Sequence, residues 1–116
     1  GNGEEGIDLN GVSYSGQCEG NTIRENTISR NVNKGIRLSY ADGNRIEGNN
    51  VWGTTGEGYG IATTNSKNNL ILKNSCVGNG TNYELDSDDT YGPIVDVAGE
   101  LGSADGAWHP WANFSR

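Results

Sequence analysis

A block of asparagine and isoleucine recurs three times along the chain. It reads Asn21-Thr22-Ile23-Arg24-Glu25-Asn26, then Asn44-Arg45-Ile46-Glu47-Gly48-Asn49, then Asn69-Leu70-Ile71-Leu72-Lys73-Asn74, at spacings of 23 and 25 residues. Two residues beyond each block stands a further small apolar residue: Ile28, Val51 or Cys76. Ahead of the blocks stand Gly6-Ile7-Asp8-Leu9, Gly35-Ile36-Arg37-Leu38 and Gly60-Ile61-Ala62-Thr63. A degenerate fourth copy follows as Asn82-Tyr83-Glu84-Leu85 and Gly92-Pro93-Ile94-Val95-Asp96-Val97, with Ile94 placed 23 residues after Ile71. Self-similarity at a period in the low twenties marks a solenoid, in which no single rung can bury its apolar face alone. Within a rung the apolar residues alternate with polar ones, which is strand periodicity. About three short strands per rung are expected, separated by Gly and Asn. A leucine-rich repeat has a similar length but needs a Leu ladder that is missing here.

Stacked rungs bring equivalent residues together. The predicted inward columns are Ile7/Ile36/Ile61/Tyr83, Leu9/Leu38/Thr63/Leu85, Ile23/Ile46/Ile71/Ile94 and Ile28/Val51/Cys76. Asn26, Asn49 and Asn74 should form an amide ladder of the kind that stacked parallel strands support, and Asn21, Asn44 and Asn69 a second. Asn also tolerates the left-handed backbone of a sharp corner, so the corners are expected at these asparagines. Like stacking on like needs only a thin core. That reconciles a hydrophobic fraction of 32%, with 19 Gly and no Met in 116 residues, with an ordered fold.

The G-I-x-L and N-x-I-x-x-N rungs resemble the right-handed parallel β-helix repeats of the pectin-lyase-like superfamily, over about residues 3–97. The closing segment, YGPIVDV followed by HPWANFSR, is similar to the C-terminal end of bacterial members. The resemblance implies an all-β, single-stranded right-handed parallel β-helix of about four rungs. It says little of activity, since the superfamily spans lyases, hydrolases, epimerases, adhesins and proteins without known chemistry. The expected organisation is rungs over 1–97 and an aromatic capping tail over 98–116, with the chain read as the C-terminal portion of such a protein. Because it begins at Gly1 rather than Met, it reads as a processed form or fragment.

The two ends differ in character. The tail carries Trp108, Trp111 and Phe114, and Leu70 and Leu72 should form an outward apolar patch for it to cover. At the other end, Ile7, Leu9 and Ile23 would present an unlidded face that seeks a partner. These six residues form the expected assembly interface. Function by self-association of solenoid ends follows, as a filament subunit or as the end of a longer β-helix. The alternatives are a carbohydrate-binding module using Tyr14, Trp52 and Tyr59, and a polysaccharide-processing enzyme fragment. For the enzyme, Asp8 and Arg37 are neighbours in one outward column with Glu84 two rungs on, an arrangement that reads as an ion pair without a second carboxylate at hydrolase spacing.

Charge narrows the partners. A net charge of −7 with eight scattered basic residues argues against nucleic acid. No apolar run approaches a membrane span, and no signal peptide is visible. The expected location is extracellular or cell-surface, with polysaccharide as the other partner considered. Two sequons, at Asn79 and Asn113, are what so Asn-rich a chain produces by chance. Cys76 reads as a core residue, and a bridge to Cys18 would have to span two rungs of about 4.8 Å each. The acidic run Glu84-Leu85-Asp86-Ser87-Asp88-Asp89 reads as a solvated turn. No cofactor is expected; Ca²⁺ at Asp86, Asp88 and Asp89 is the one metal considered. His109, the sole histidine, lies between Trp108 and Pro110 without a second ligand at metal spacing.

Overall fold

Short runs with alternating apolar side chains form strands, not helices, and most strands of the described residues follow this rule. The computed structural model describes residues 4–11, 18–56, 58–100 and 104–116. The first turn of the solenoid holds β1 (Glu5–Asn10), β2 (Thr22–Arg24) and β3 (Thr27–Ser29). The second holds β4 (Lys34–Ser39), β5 (Arg45–Glu47) and β6 (Asn50–Trp52), and the third β7 (Tyr59–Thr64), β8 (Leu70–Leu72) and β9 (Ser75–Val77). Beyond these lie β10 (Thr81–Glu84), β11 (Thr90–Tyr91), β12 (Ile94–Asp96) and β13 (Asn113–Ser115). Three parallel sheets result, ordered β1-β4-β7-β10, β2-β5-β8-β11 and β3-β6-β9-β13-β12. The fold is a parallel β-helix, as the repeat predicts.

Register places like beside like. Ile7 pairs with Ile36 and Ile36 with Ile61, Ile23 with Ile46 and Ile46 with Ile71, and Ile28 with Val51 and Val51 with Cys76. Ile36, Leu38, Ile46, Val51, Ile61, Ile71 and Cys76 are all fully buried. The first sheet can approach the third this closely only because Gly35 lacks a side chain. A Cβ there would collide with Val51 and with the carbonyl oxygen of Gly60.

Two expectations need correction. Ile94 does not continue the Ile23 column: Tyr91 pairs with Ile71 instead, and Ile94 pairs with Asn113 and is 40% exposed. The reason is that β13 returns from the tail and enters the third sheet between β9 and β12. The corner asparagines, likewise, are not the residues with left-handed backbone. That conformation falls one position earlier, at Gly20, Gly43 and Asn68, at Glu25, Gly48 and Lys73, and at Arg30, Gly53 and Gly78. Each corner thus strains or frees one residue, and the next side chain turns inward.

Those inward amides tie the rungs together. Asn26 donates from its backbone N and from Nδ2 to Asn49 Oδ1, both at 3.0 Å, and Asn49 does the same to Asn74 at 3.0 Å. Asn74 continues to Asn113 Oδ1 at 3.1 Å, a partner 39 positions further along the sequence. Asn49 and Asn74 also donate from Nδ2 to the carbonyls of Ile23 and Ile46. Every polar valence of these buried amides is used, which is what makes so many buried asparagines tolerable.

The second column runs from Asn21 through Asn44 to Asn69 and ends on a carboxylate. Asn69 donates to Asp89 Oδ1 from its backbone N at 3.0 Å and from Nδ2 at 2.8 Å. Asp89 is thus an acceptor standing where an asparagine would, and its Oδ2 is buried without a hydrogen-bond partner. Burial raises its carboxyl pKa above the ordinary aspartate range. A third corner, which the repeat did not reveal, joins the backbone N of Thr54 to Asn79 Oδ1 at 3.0 Å.

Two outcomes are expected. Asn74→Ala strands the donors of Asn49 and the Ile46 carbonyl, and should cost about 3 kcal/mol in urea unfolding. Asp89→Asn should instead stabilise by about 1 kcal/mol at neutral pH, because the amide keeps Oδ1 as the acceptor for Asn69 and removes a half-buried charge. A carboxyl whose pKa is raised by folding weakens the native state as pH climbs from its unfolded value through its folded one. The advantage of the Asn variant should therefore shrink on acidification through the raised pKa, which unfolding curves at a series of pH values would read.

Candidate functional site

The solenoid has two unlike ends, and a pocket lies beside one of them. At the first end, Ile7 and Leu9 are half-buried and pack on the core cluster to which Ile23 belongs. Strands β1, β2 and β3 are each the outermost of their sheet, so one edge of each lacks a strand neighbour among the described residues. On the outer face near this end, Arg37 pairs with Asp8 at 3.4 Å and Glu5 at 3.9 Å, a partly buried ion-pair group.

At the other end the tail supplies β13 to the third sheet, and β10, β11 and β12 are the outermost strands there. Asn113 donates from its backbone N to the Pro93 carbonyl at 2.7 Å, Phe114 to Asn74 at 2.7 Å and Arg116 to Cys76 at 3.0 Å. Phe114 lies opposite Val95 on one side and Ser75 on the other. The Tyr83 hydroxyl, 2.8 Å from the Phe114 carbonyl and 3.0 Å from that of Asn74, fastens the inserted strand from inside. Trp108 is 84% exposed and stays outside this packing. The six residues of the expected interface therefore lie at opposite ends, three on each.

Between the tail and the outer face of the second sheet lies a pocket of about 410 Å³. Its floor is Leu70 and Leu72, whose side chains occupy outward positions held by Arg45 and Glu47 one rung earlier. Tyr91, Pro93, His109 and Trp111 wall it, and Arg45 stands at the rim. The Nδ1 of His109 accepts from the Trp111 backbone N at 3.2 Å, which fixes the turn that presents both rings. Lys73 Nζ lies 5.0 Å from the Trp111 ring centroid. The break from polar to apolar at Leu70 and Leu72 and the aromatic tail expected to cover it were the sequence signals of this place; of the three tail aromatics, Trp111 lines the pocket.

The aromatic loop considered for carbohydrate is differently disposed. Arg30 lies over the Trp52 ring at 5.1 Å and Lys34 over Tyr59 at 5.4 Å, so each has a cation on one face. Tyr14 lies outside the described residues. Both cysteines are free: Cys18 is half-buried, and Cys76 is buried, with its thiol pushed up to about 12 by that burial. Among the described residues no helix is long and apolar enough to cross a membrane.

With this geometry in view, comparison with known proteins shows that the family described as "Periplasmic copper-binding protein (NosD)" matches residues 1–92. No curated protein and no solved structure matches the chain. The match corrects the expectation of no cofactor, with Ca²⁺ at Asp86, Asp88 and Asp89 as its one exception, because the family is described by copper. The acidic turn is also spoken for, since Asp89 Oδ1 receives both Asn69 donors and Asp86 Oδ1 receives the Asp88 backbone N. Copper selects thiolate, thioether and imidazole donors. Here Met is absent from the sequence, the Cys76 thiol is held protonated inside the core, and His109 is the only imidazole. Among the described residues no three His, Cys, Asp or Glu side chains converge, so these residues do not fit a copper centre.

Proposed function

Because the chain belongs to the NosD family, we propose that it is a non-catalytic structural module of a periplasmic copper-binding β-helix protein, and that it ends a stack of rungs. The asymmetry of its two ends carries this reading. The first turn is level, with β1, β2 and β3 all open on the same side. Parallel edges of this kind leave backbone donors and acceptors free to receive another strand. The far end is stepped: β13 lengthens the third sheet to five strands while the other two have four. One strand amounts to about 4.8 Å. A level face cannot pair with a stepped one across all three sheets, so head-to-tail filaments of this chain would forgo pairing in part of every junction. Termination of a β-helix, with the first turn stacked on another rung, fits better than a fibre subunit.

Non-catalytic character is supported by the outer face of the first sheet, where Asp8 and Arg37 neutralise one another. The reading is tested by adding the missing neighbour. Lys34 pairs with Tyr59 as Glu5 pairs with Lys34, so a duplicate of residues 34–58 inserted directly before Glu5 supplies one more rung in register. The extended chain is expected to melt higher and to slow amide exchange in β1, β2 and β3. Unchanged exchange there would overturn the proposal, as would regular filaments of the unmodified chain in electron micrographs.

A further inference from the structure

The pocket against the tail has features that the architectural role does not use. We propose that it binds a small carboxylate with a planar apolar body, such as an arylacetate. Its volume of about 410 Å³ lies within the range of small-molecule sites. Leu70 and Leu72 offer an apolar floor and Trp111 and Tyr91 two ring faces, 47% and 45% exposed, so a flat hydrocarbon body is what the walls would bury.

Charge at the rim selects the other half of the ligand. Arg45 lines the pocket and Lys73 lies over the Trp111 ring, and the two share one carboxylate: Glu47 accepts from Arg45 Nε at 2.9 Å and lies 3.9 Å from Lys73 Nζ. These three side chains beside the pocket thus carry one unit of positive charge between them, on a chain whose net charge is −7. The Glu47 contact engages one of the five guanidinium donors, and a planar fork suits a carboxylate. The positive surplus sits beside an apolar cleft, so an anion whose body is itself apolar satisfies both at once. This inference is independent of the role proposed for the solenoid ends.

The test titrates the full chain with phenylacetate, its neutral counterpart 2-phenylethanol, and acetate, following the Trp111 indole N–H by NMR and the affinity by calorimetry. Phenylacetate should bind saturably and shift Trp111, with 2-phenylethanol about tenfold weaker and acetate without effect. Arg45→Gln should lower phenylacetate affinity by about tenfold. Arg45 is an exposed outer-face residue, so the melting temperature should hold. Equal affinity for phenylacetate and 2-phenylethanol would overturn the proposal. So would an Arg45→Gln variant that binds phenylacetate unchanged, or no saturable binding at all.

Discussion

The amide-to-amide hydrogen bond between asparagines of successive rungs is the interaction on which the rest of the structure depends. Each bond fixes the vertical register of a corner, and a fixed corner forces the strands on either side to stack in parallel. Once they do, Ile46 has no choice but to meet Ile23 below and Ile71 above. The core can then be one residue wide, because each apolar side chain is covered by its own counterparts as well as by those across the interior. Burial of asparagine, ordinarily a cost, becomes tolerable because Oδ1 accepts from the preceding rung while Nδ2 donates twice. Low hydrophobicity is a consequence of this arrangement.

Such a column must stop somewhere, and its two terminations use different chemistry. One ends on Asn113, delivered by a segment that leaves the solenoid and comes back. The other ends on Asp89, which can accept the last pair of donors but has nothing to donate onward. The returning segment does more than finish a column. It places β13 inside the third sheet, carries Trp111 and His109 over the outward leucines of β8, and so makes both the step at this end and the pocket beside it. No comparable device acts among the described residues at the first turn. In the proposed reading, one end receives and the other stops.

Much of this was legible from residue spacing alone, and the failures are instructive. Ile23, Ile46 and Ile71 were readable because adjacent rungs are adjacent in sequence, so a period suffices to pair them. Ile94 kept the period but not the place, since a strand from the tail pre-empted its neighbour, and no local pattern announces an insertion from elsewhere in the chain. The corners were misassigned by one residue for a related reason. Glu25, Arg30 and Lys73 adopt the left-handed backbone without belonging to the residue types that favour it. Stacking holds them there, a tertiary effect that overrides local preference. Asp89 was read as part of a solvated acidic run, because charge alone does not tell that one carboxylate of the run turns inward to complete a column. The pocket was visible in part, as two leucines on a polar face with an aromatic tail expected over them, while the contribution of Tyr91, Pro93 and His109 to its walls comes only with the fold.

The measurement that bears most directly on the account is residue-resolved hydrogen exchange of the unmodified chain in its native state. If stacked amide columns hold the rungs together, protection should be greatest around Asn49 and Asn74, with neighbours above and below, and should fall steadily toward Asn26, Asn21 and the open strands of the first turn. A first turn as well protected as the second, or an Asn49–Asn74 region that exchanges as fast as the corners around it, would contradict the account.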